Sequence, residues 1–368
     1  MTHALRRKPL AVLLALVLAL IVVPGRPANA ASLPGLVLTS ATASLPTELT
    51  TLATGKRLTY VTTDAKGVLS TATGLLLTPK TNKKNKVVVW GHGTTGIADK
   101  CAPSTNQSVF WPEARAAVAE LLRRGWTVAA PDYQGLGTAQ SHPYLVGLSE
   151  ARSMIDSVKA ARNLDSALGT SYAIDGHSQG GQGALFANQI ATAYDGNLVL
   201  KGTATIAPVS NVDQLAPLIP GTPGQGYLVM GLYGLNAVES TYVPNNVLAT
   251  PAEQKAAVLQ SGCLYEILDA YAPLTADQLL TGGALPANWV AKLKQYDNPG
   301  QTATTAPILI VQGTLDDAVP AFITHDILLP QLQAYSQPVQ YIELDGATHD
   351  SAVFDSTVTV ANWIAARL

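Results

Sequence analysis

Serine, aspartate and histidine occur in this chain where their chemistry could be combined. Ser178 stands in Gly176-His177-Ser178-Gln179-Gly180, a match to the G-x-S-x-G pattern that holds a serine on a sharp turn between a strand and a helix. A serine hydroxyl is nearly inert at neutral pH, so such a nucleophile needs a base, and the base needs an orienting acid. His349 ends the stretch Leu344-Asp345-Gly346-Ala347-Thr348-His349, a loop between the last expected strand and the last expected helix. Asp316 and Asp317 follow the preceding strand in Gln312-Gly313-Thr314-Leu315-Asp316-Asp317. Asp316 is favoured as the partner of the imidazole, because Asp317 has an alternative place in the N-cap region of the next helix. A glycine-rich turn that binds phosphate needs a nearby cation, and no lysine or arginine lies between Arg162 and Lys201.

Attack on an ester carbonyl creates an oxyanion, which needs hydrogen-bond donors. The backbone N–H of Gln179, at the start of the helix after Ser178, is one candidate. The second is expected from the loop Gly91-His92-Gly93-Thr94-Thr95-Gly96, with Thr94 as first choice and Thr95 as the alternative. Each such donor contributes roughly 3–4 kcal/mol to transition-state stabilisation. His92 is expected to order this loop, and His177 to point away from the nucleophile and pack locally. Ser178, Asp316 and His349 follow one another in the chain order of the α/β-hydrolase triad.

These residues need a sheet whose strands end at one edge. Residues 57–62 and 68–77 read as strands, and 86–90 (KVVVW) is a continuous apolar run expected of a strand buried on both faces. Strand and helix then alternate: a helix over 111–124, a strand over 127–130, and a helix capped by Ser149 with Ala151, Ile155, Val158 and Ala161 at helical spacing. A strand over 172–175, a helix over 182–194 and a strand over 198–206 follow, and the rhythm resumes with 307–312, 321–334, 339–344 and 351–367. Alternation of this kind implies a mostly parallel central sheet with helices on both faces. Residues 211–305 break it and read as an inserted helical cap, leaving 31–210 and 306–368 as the α/β core. Within the insertion, residues 227–235 are apolar with interspersed glycines. They could line an acyl-chain pocket or form a lid hinged on 221–226, or be one buried helix.

The first thirty residues read as a cleaved secretory signal. Arg6, Arg7 and Lys8 precede an apolar run of fourteen residues, too short for a membrane span, and Ala28-Asn29-Ala30 offers a cleavage site. Removing Arg6, Arg7, Lys8 and Arg26 takes the balance from 23 basic and 25 acidic residues to 19 and 25. No basic stripe remains, so nucleic acid is not an expected partner. The mature chain is expected to be exported, extracellular or in the cell envelope. Cys101 and Cys263 are the only cysteines, and in an oxidising compartment they read as a disulfide. No spacing of histidine and cysteine suggests a zinc site, no cofactor is called for, and nothing in the spacing sets an oligomeric state.

The ordered segments WGHGTTG (90–96), CAPS (101–104), APDYQGLG (130–137), HPYLVG (142–147) and GHSQGG (176–181) resemble the secretory lipase family. These are exported α/β hydrolases related to lipase A of the yeast Candida antarctica. The resemblance runs from about residue 86 to the C-terminus. It implies a Ser-Asp-His hydrolase of carboxylic esters with a helical cap after the sixth strand, and a disulfide joining the cysteine of CAPS to one in the cap. It does not carry over that enzyme's preference for long chains. The expected function is a lipase or carboxylesterase acting through an acyl-enzyme on a small hydrophobic ester or lipid, with transient contact at a lipid interface. The alternatives are an exported serine peptidase or acyltransferase on the same fold, and a binding protein without catalysis.

Overall fold

The computed structural model describes residues 33–368; the expected signal segment lies outside them. Nine strands form one sheet in the order β1-β2-β3-β5-β4-β6-β7-β8-β9. These are β1 (Val37–Ala43), β2 (Ala53–Thr63), β3 (Leu69–Pro79), β4 (Val87–Gly91), β5 (Thr127–Gln134), β6 (Ser171–His177), β7 (Val199–Ile206), β8 (Ile308–Gly313) and β9 (Val339–Leu344). The first three pair antiparallel, as do β3 and β5, and every pairing from β5 through β9 is parallel.

The run KVVVW shows why the centre of this sheet is buried on both sides. Side chains alternate across a strand, so Val87 and Val89 enter one apolar cluster while Val88 and Trp90 enter another. The first cluster is closed by Met154, Ile155 and Val158 of the helix Gly147–Leu164 and by Ala184 and Ala187 of the helix Gln179–Tyr194. The second is closed by Val118 and Leu121 of the helix Pro112–Arg123 and by Val353, Val360 and Trp363 of the helix Ser351–Ala365. Each valine buried this way stabilises the fold by about 1.5–3 kcal/mol relative to exposure. The strands of the parallel half therefore end along one edge, and it is there that Ser178, Asp316 and His349 emerge.

Four local expectations need correction. Residues 37–43, not among the expected strands, form β1; VLTSATA lacks an apolar alternation because this edge strand is mostly exposed. The helix expected to be capped by Ser149 begins at Gly147, with Val146 at its N-cap. Ser149 is buried and its hydroxyl donates to Gln134 Oε1 instead of capping the helix end as an acceptor. The strand expected over 127–130 continues past Pro131, tolerated where the register with β3 slips opposite Gly74. The helix expected over 321–334 widens to a π turn at Ile323–Leu328 before Leu329–Gln333. Pro330 lacks the N–H that Asp326 would need for a regular α turn.

Between β7 and β8 the chain leaves the sheet and builds its own apolar cluster. Its helices include Gln225–Val238, Leu264–Tyr271 and Ala287–Asp297. Leu228, Val229, Met230, Leu232, Ile267 and Leu293 are among its buried members. Residues 221–226, read as a possible hinge, are tied down. Buried Gln225 donates to the carbonyls of Tyr271 and Leu274 at 2.6 and 2.8 Å and accepts from Gly221 N–H at 2.9 Å. Cys101 and Cys263 form a disulfide across 162 residues, fastening this segment to the loop after β4. A cross-link closing a loop of that size contributes about 2–5 kcal/mol, in the chain-entropy account by restricting the unfolded chain.

Candidate active site

Ser178 occupies the single residue between β6 and the helix Gln179–Tyr194, at φ 56 and ψ −118. A positive φ is strained for a side chain with a Cβ and costs on the order of 1–3 kcal/mol. Three backbone bonds hold it: Ser178 N–H donates to the Ile206 carbonyl at 2.9 Å, and its carbonyl accepts from Gln182 at 3.0 Å and Val209 at 3.2 Å. The flanking glycines are required by close approach of backbones. A Cβ on Gly176 would lie 2.3 Å from the Gly180 carbonyl oxygen, and one on Gly180 would lie 2.1 Å from that of Gly91. The turn thus lifts the serine hydroxyl off the sheet edge while packing its backbone tightly beneath.

His349 and Asp316 are 33 residues apart and meet across the loops after β8 and β9. The ring Nδ1–H of His349 donates to Asp316 Oδ2 at 2.8 Å and lies 3.0 Å from Oδ1. In that tautomer Nε2 is the basic nitrogen. Asp316 is buried and also accepts from Gln312 Nε2 at 2.9 Å, Ala318 N–H at 3.0 Å and Val319 N–H at 2.8 Å. Asp317 is exposed and makes no bond to the imidazole. Burial alone would lower the pKa of His349, but the hydrogen bond and charge of Asp316, with Asp350 and Asp317 behind it, raise it above the ordinary histidine value. His177, expected to point away from Ser178 and pack locally, packs against His349. Its ring lies 4.6 Å from that of His349, and its Nε2–H donates to the His349 carbonyl at 3.2 Å. Burial, then the neighbouring His349, holds His177 well below the usual range, so it is neutral at neutral pH.

The loop after β4 is braced from every side, and the segments singled out in the sequence converge on it. Thr94 Oγ1 lies 2.7 Å from the Tyr144 hydroxyl, and its carbonyl accepts from Trp111 Nε1 at 3.1 Å. His92 stacks on Tyr133 at 4.5 Å and bonds the Gly93 carbonyl at 2.7 Å, so it does order the loop. Thr95 is fully buried, and its carbonyl accepts from Leu264 N–H at 2.9 Å. Asp132 of the APDYQGLG stretch accepts from Thr73 and from Ser104 N–H, which fixes the CAPS loop.

The sequence pointed to Gln179 for its backbone alone, but its side chain is equally committed. Gln179 Nε2 donates to Glu150 Oε1 at 2.8 Å and lies 3.1 Å from His142 Nε2. Glu150 is fully buried and faces no cation among the described residues; burial pushes its carboxyl up to about 8, against the hydrogen bonds from Gln179 and Leu145. This network anchors the residue whose N–H begins the helix. Glu150 was missed because on the sequence it is one acid in the first turn of a helix, a common surface pattern.

Ser178 lies on the wall between two cavities, which share Thr94, Tyr227, Asp317 and Ala318. The larger, about 550 Å³, runs under the inserted segment and is lined mainly by apolar side chains, including Val212, Leu215, Ile219, Leu228 and Val319. Residues 227–235 form a largely buried helix, and its Leu228 and Gly231 line this cavity. The smaller, about 190 Å³, is polar and holds His349, His177, Glu113 and Asp350. Glu113 is pushed up to about 7, by burial first and by Asp350 in addition. Among the described residues one grouping could hold a metal ion: a ligand atom each from His177, His349 and Asp350 lie within 4.8 Å of one another. The spacing did not reveal it, since tertiary contact alone joins residue 177 to 349. A cation there would occupy the basic nitrogen of His349, because Nδ1 is taken by Asp316.

Residues 113–368 match the family described as Secretory lipase. A secreted triacylglycerol lipase of Malassezia globosa is 28% identical over 277 residues, a match covering 69% of this chain and 58% of that protein. The chain spans less than two thirds of the length of the curated relatives it matches. Candida antarctica lipase A in its closed state superposes with a TM-score of 0.75 at 18% identity, covering 90% of this chain and 81% of that one. A rice cell wall degrading esterase of Xanthomonas oryzae superposes with a TM-score of 0.71 at 24% identity, covering 90% and 96%. Both likenesses establish the α/β-hydrolase fold that the resemblance implied.

Proposed function

The chain belongs to the secretory lipase family, and from that premise we propose that it is an exported serine hydrolase of carboxylic esters. Ser178 is the nucleophile, His349 the base and Asp316 the orienting acid. One observation carries this reading: a strained serine shares a cavity wall with a histidine whose Nδ1–H is held by a buried carboxylate. Ser178 Oγ attacks the ester carbonyl as His349 Nε2 takes its proton. The backbone N–H groups of Gln179 and Thr94 receive the oxyanion. Neutral His177 adds no charge beside the base. The imidazolium, stabilised by Asp316, then protonates the leaving alcohol, and water repeats the steps on the acyl-enzyme. No step needs a cofactor.

Residues 211–305 act as a cap, and the apolar cavity beneath them seats the acyl chain. Its volume falls in the range of roughly 300–1,000 Å³ usual for small-molecule sites. Leu218 at the cavity, and Leu315 and Phe322, each two residues from a lining residue, are large apolar side chains left exposed. They support transient contact with a lipid surface. Export rests on residues 1–30 and on the secreted relatives. The test is a series of p-nitrophenyl esters of increasing acyl length. Each added methylene that enters the cavity contributes about 0.8 kcal/mol, so kcat/KM rises about fourfold per carbon until the cavity is full. A profile highest at acetate contradicts the acyl role of the cavity, and failure to cleave any ester sinks the reading.

The charges around His349 set a pH dependence. The protonated imidazole cannot act as base, so kcat/KM rises with pH through a pKa above that of an ordinary histidine. Asp317→Asn and Asp350→Asn each remove a negative charge that stabilises the imidazolium. Each substitution is expected to move the acidic limb of the pH–rate profile to lower pH. Limbs that stay in place in both variants would show that another group controls the rate.

A further inference from the structure

The helix Ala287–Asp297 ends on a carboxyl group for which the reaction has no use. Asp297 is 1% exposed and sits on the wall of the 550 Å³ cavity. Its Oδ1 is enclosed and has no hydrogen-bond partner among the described residues. Its backbone carbonyl accepts from Gln182 Nε2 at 2.6 Å. Gln182 Oε1 is likewise enclosed and without a partner, while the Gln182 amide nitrogen is spent on the carbonyls of Leu145 and Asp297. Burial first, then the nearby acid Glu150, pushes the Asp297 carboxyl well above the carboxylate range, toward the protonated form that can both donate and accept. Around it the cavity offers Leu145, Val212 and Leu293.

Buried polar groups are almost always hydrogen-bonded, and an unpaired one costs enough that it calls for a partner. Asp297 lines a cavity sized for a substrate chain, so the partner is sought on that chain. A hydroxyl has one donor and two acceptor positions, which matches a carboxyl in either protonation state. We propose that Asp297 is a specificity-determining residue that receives a hydroxyl carried by the chain in the larger cavity, making esters of hydroxylated acyl chains the favoured substrates. The inference rests on the reading that this cavity seats the acyl group. A plain acyl chain fills the same space but leaves the carboxyl unpaired, whereas a hydroxylated one of matching position satisfies it.

The test uses matched p-nitrophenyl esters of equal acyl length, plain or with one hydroxyl at successive positions. They are assayed on the wild type, Asp297→Asn and Asp297→Leu. In the wild type kcat/KM for one hydroxyl position should exceed that of the plain ester by about tenfold or more, since sites built to bond a hydroxyl reject the analogue lacking it. Asp297→Leu should invert that ratio, while Asp297→Asn, which keeps one donor group and one acceptor, should retain part of it. A wild type that prefers the plain ester at every position overturns the proposal, as an enclosed water satisfying the carboxyl would produce. A ratio that Asp297→Leu leaves intact overturns it too. If Asp297→Leu does not fold, the isosteric Asp297→Asn and the position dependence in the wild type decide the matter. These outcomes differ from failure of the underlying function, in which the wild type cleaves neither member of any pair or Ser178→Ala cleaves both.

Discussion

Ser178→Ala is expected to lower kcat for ester hydrolysis by about six orders of magnitude, the loss that follows removal of a triad nucleophile. The reason is local. The substitution deletes only Oγ and leaves a Cβ in the same strained backbone, so the turn and the backbone bonds of Ser178 to Ile206, Gln182 and Val209 persist. Residual rates on the order of 10³–10⁴ above water would come from the backbone donors and from binding. The measurement is kcat on one chromogenic ester, together with a thermal melt that should stay near the wild-type midpoint. Retention of more than about a hundredth of the activity by a folded variant places the nucleophile elsewhere.

The second large effect is at Asp316. Asp316→Asn is expected to lower kcat by about 10⁴-fold, because the amide no longer fixes His349 with Nδ1 protonated. It should also destabilise the fold by about 1–3 kcal/mol, since the carboxylate accepts from Gln312, Ala318, Val319 and His349 together and an amide NH₂ cannot take all four. Asp317→Asn, one residue away and exposed, should keep kcat within a few-fold and shift only the pH profile. The opposite pattern, a crippled Asp317→Asn and an active Asp316→Asn, would reverse the assignment.

Much of the scaffold was legible because its signals are local. The two-faced burial of KVVVW, the glycines around Ser178 and the position of each acid and base after a strand all follow from short-range chemistry. What escaped reading was set by partners far along the chain. β1 has no apolar face of its own and is defined by pairing with β2. Ser149 looks like a helix cap, but burial gives its hydroxyl a closer partner in Gln134. His177 looks like a bystander until the loop after β9 brings the ring of His349 within 4.6 Å.

The sequence by itself determined which groups could react and in what order they occur, since residue type and position after a strand are one-dimensional properties. It also marked residues 211–305 as the stretch where the strand–helix rhythm stops. The sequence favoured Asp316 over Asp317, and the tertiary structure shows which of them meets His349. The two carboxylates are adjacent and of one type, and they differ because one turns inward to four donors while the other turns to water. The same holds for Glu150 and Asp297. An acid in a helix is ordinarily solvated, and what these two do depends on being enclosed without a cation, a circumstance created by distant segments closing over them.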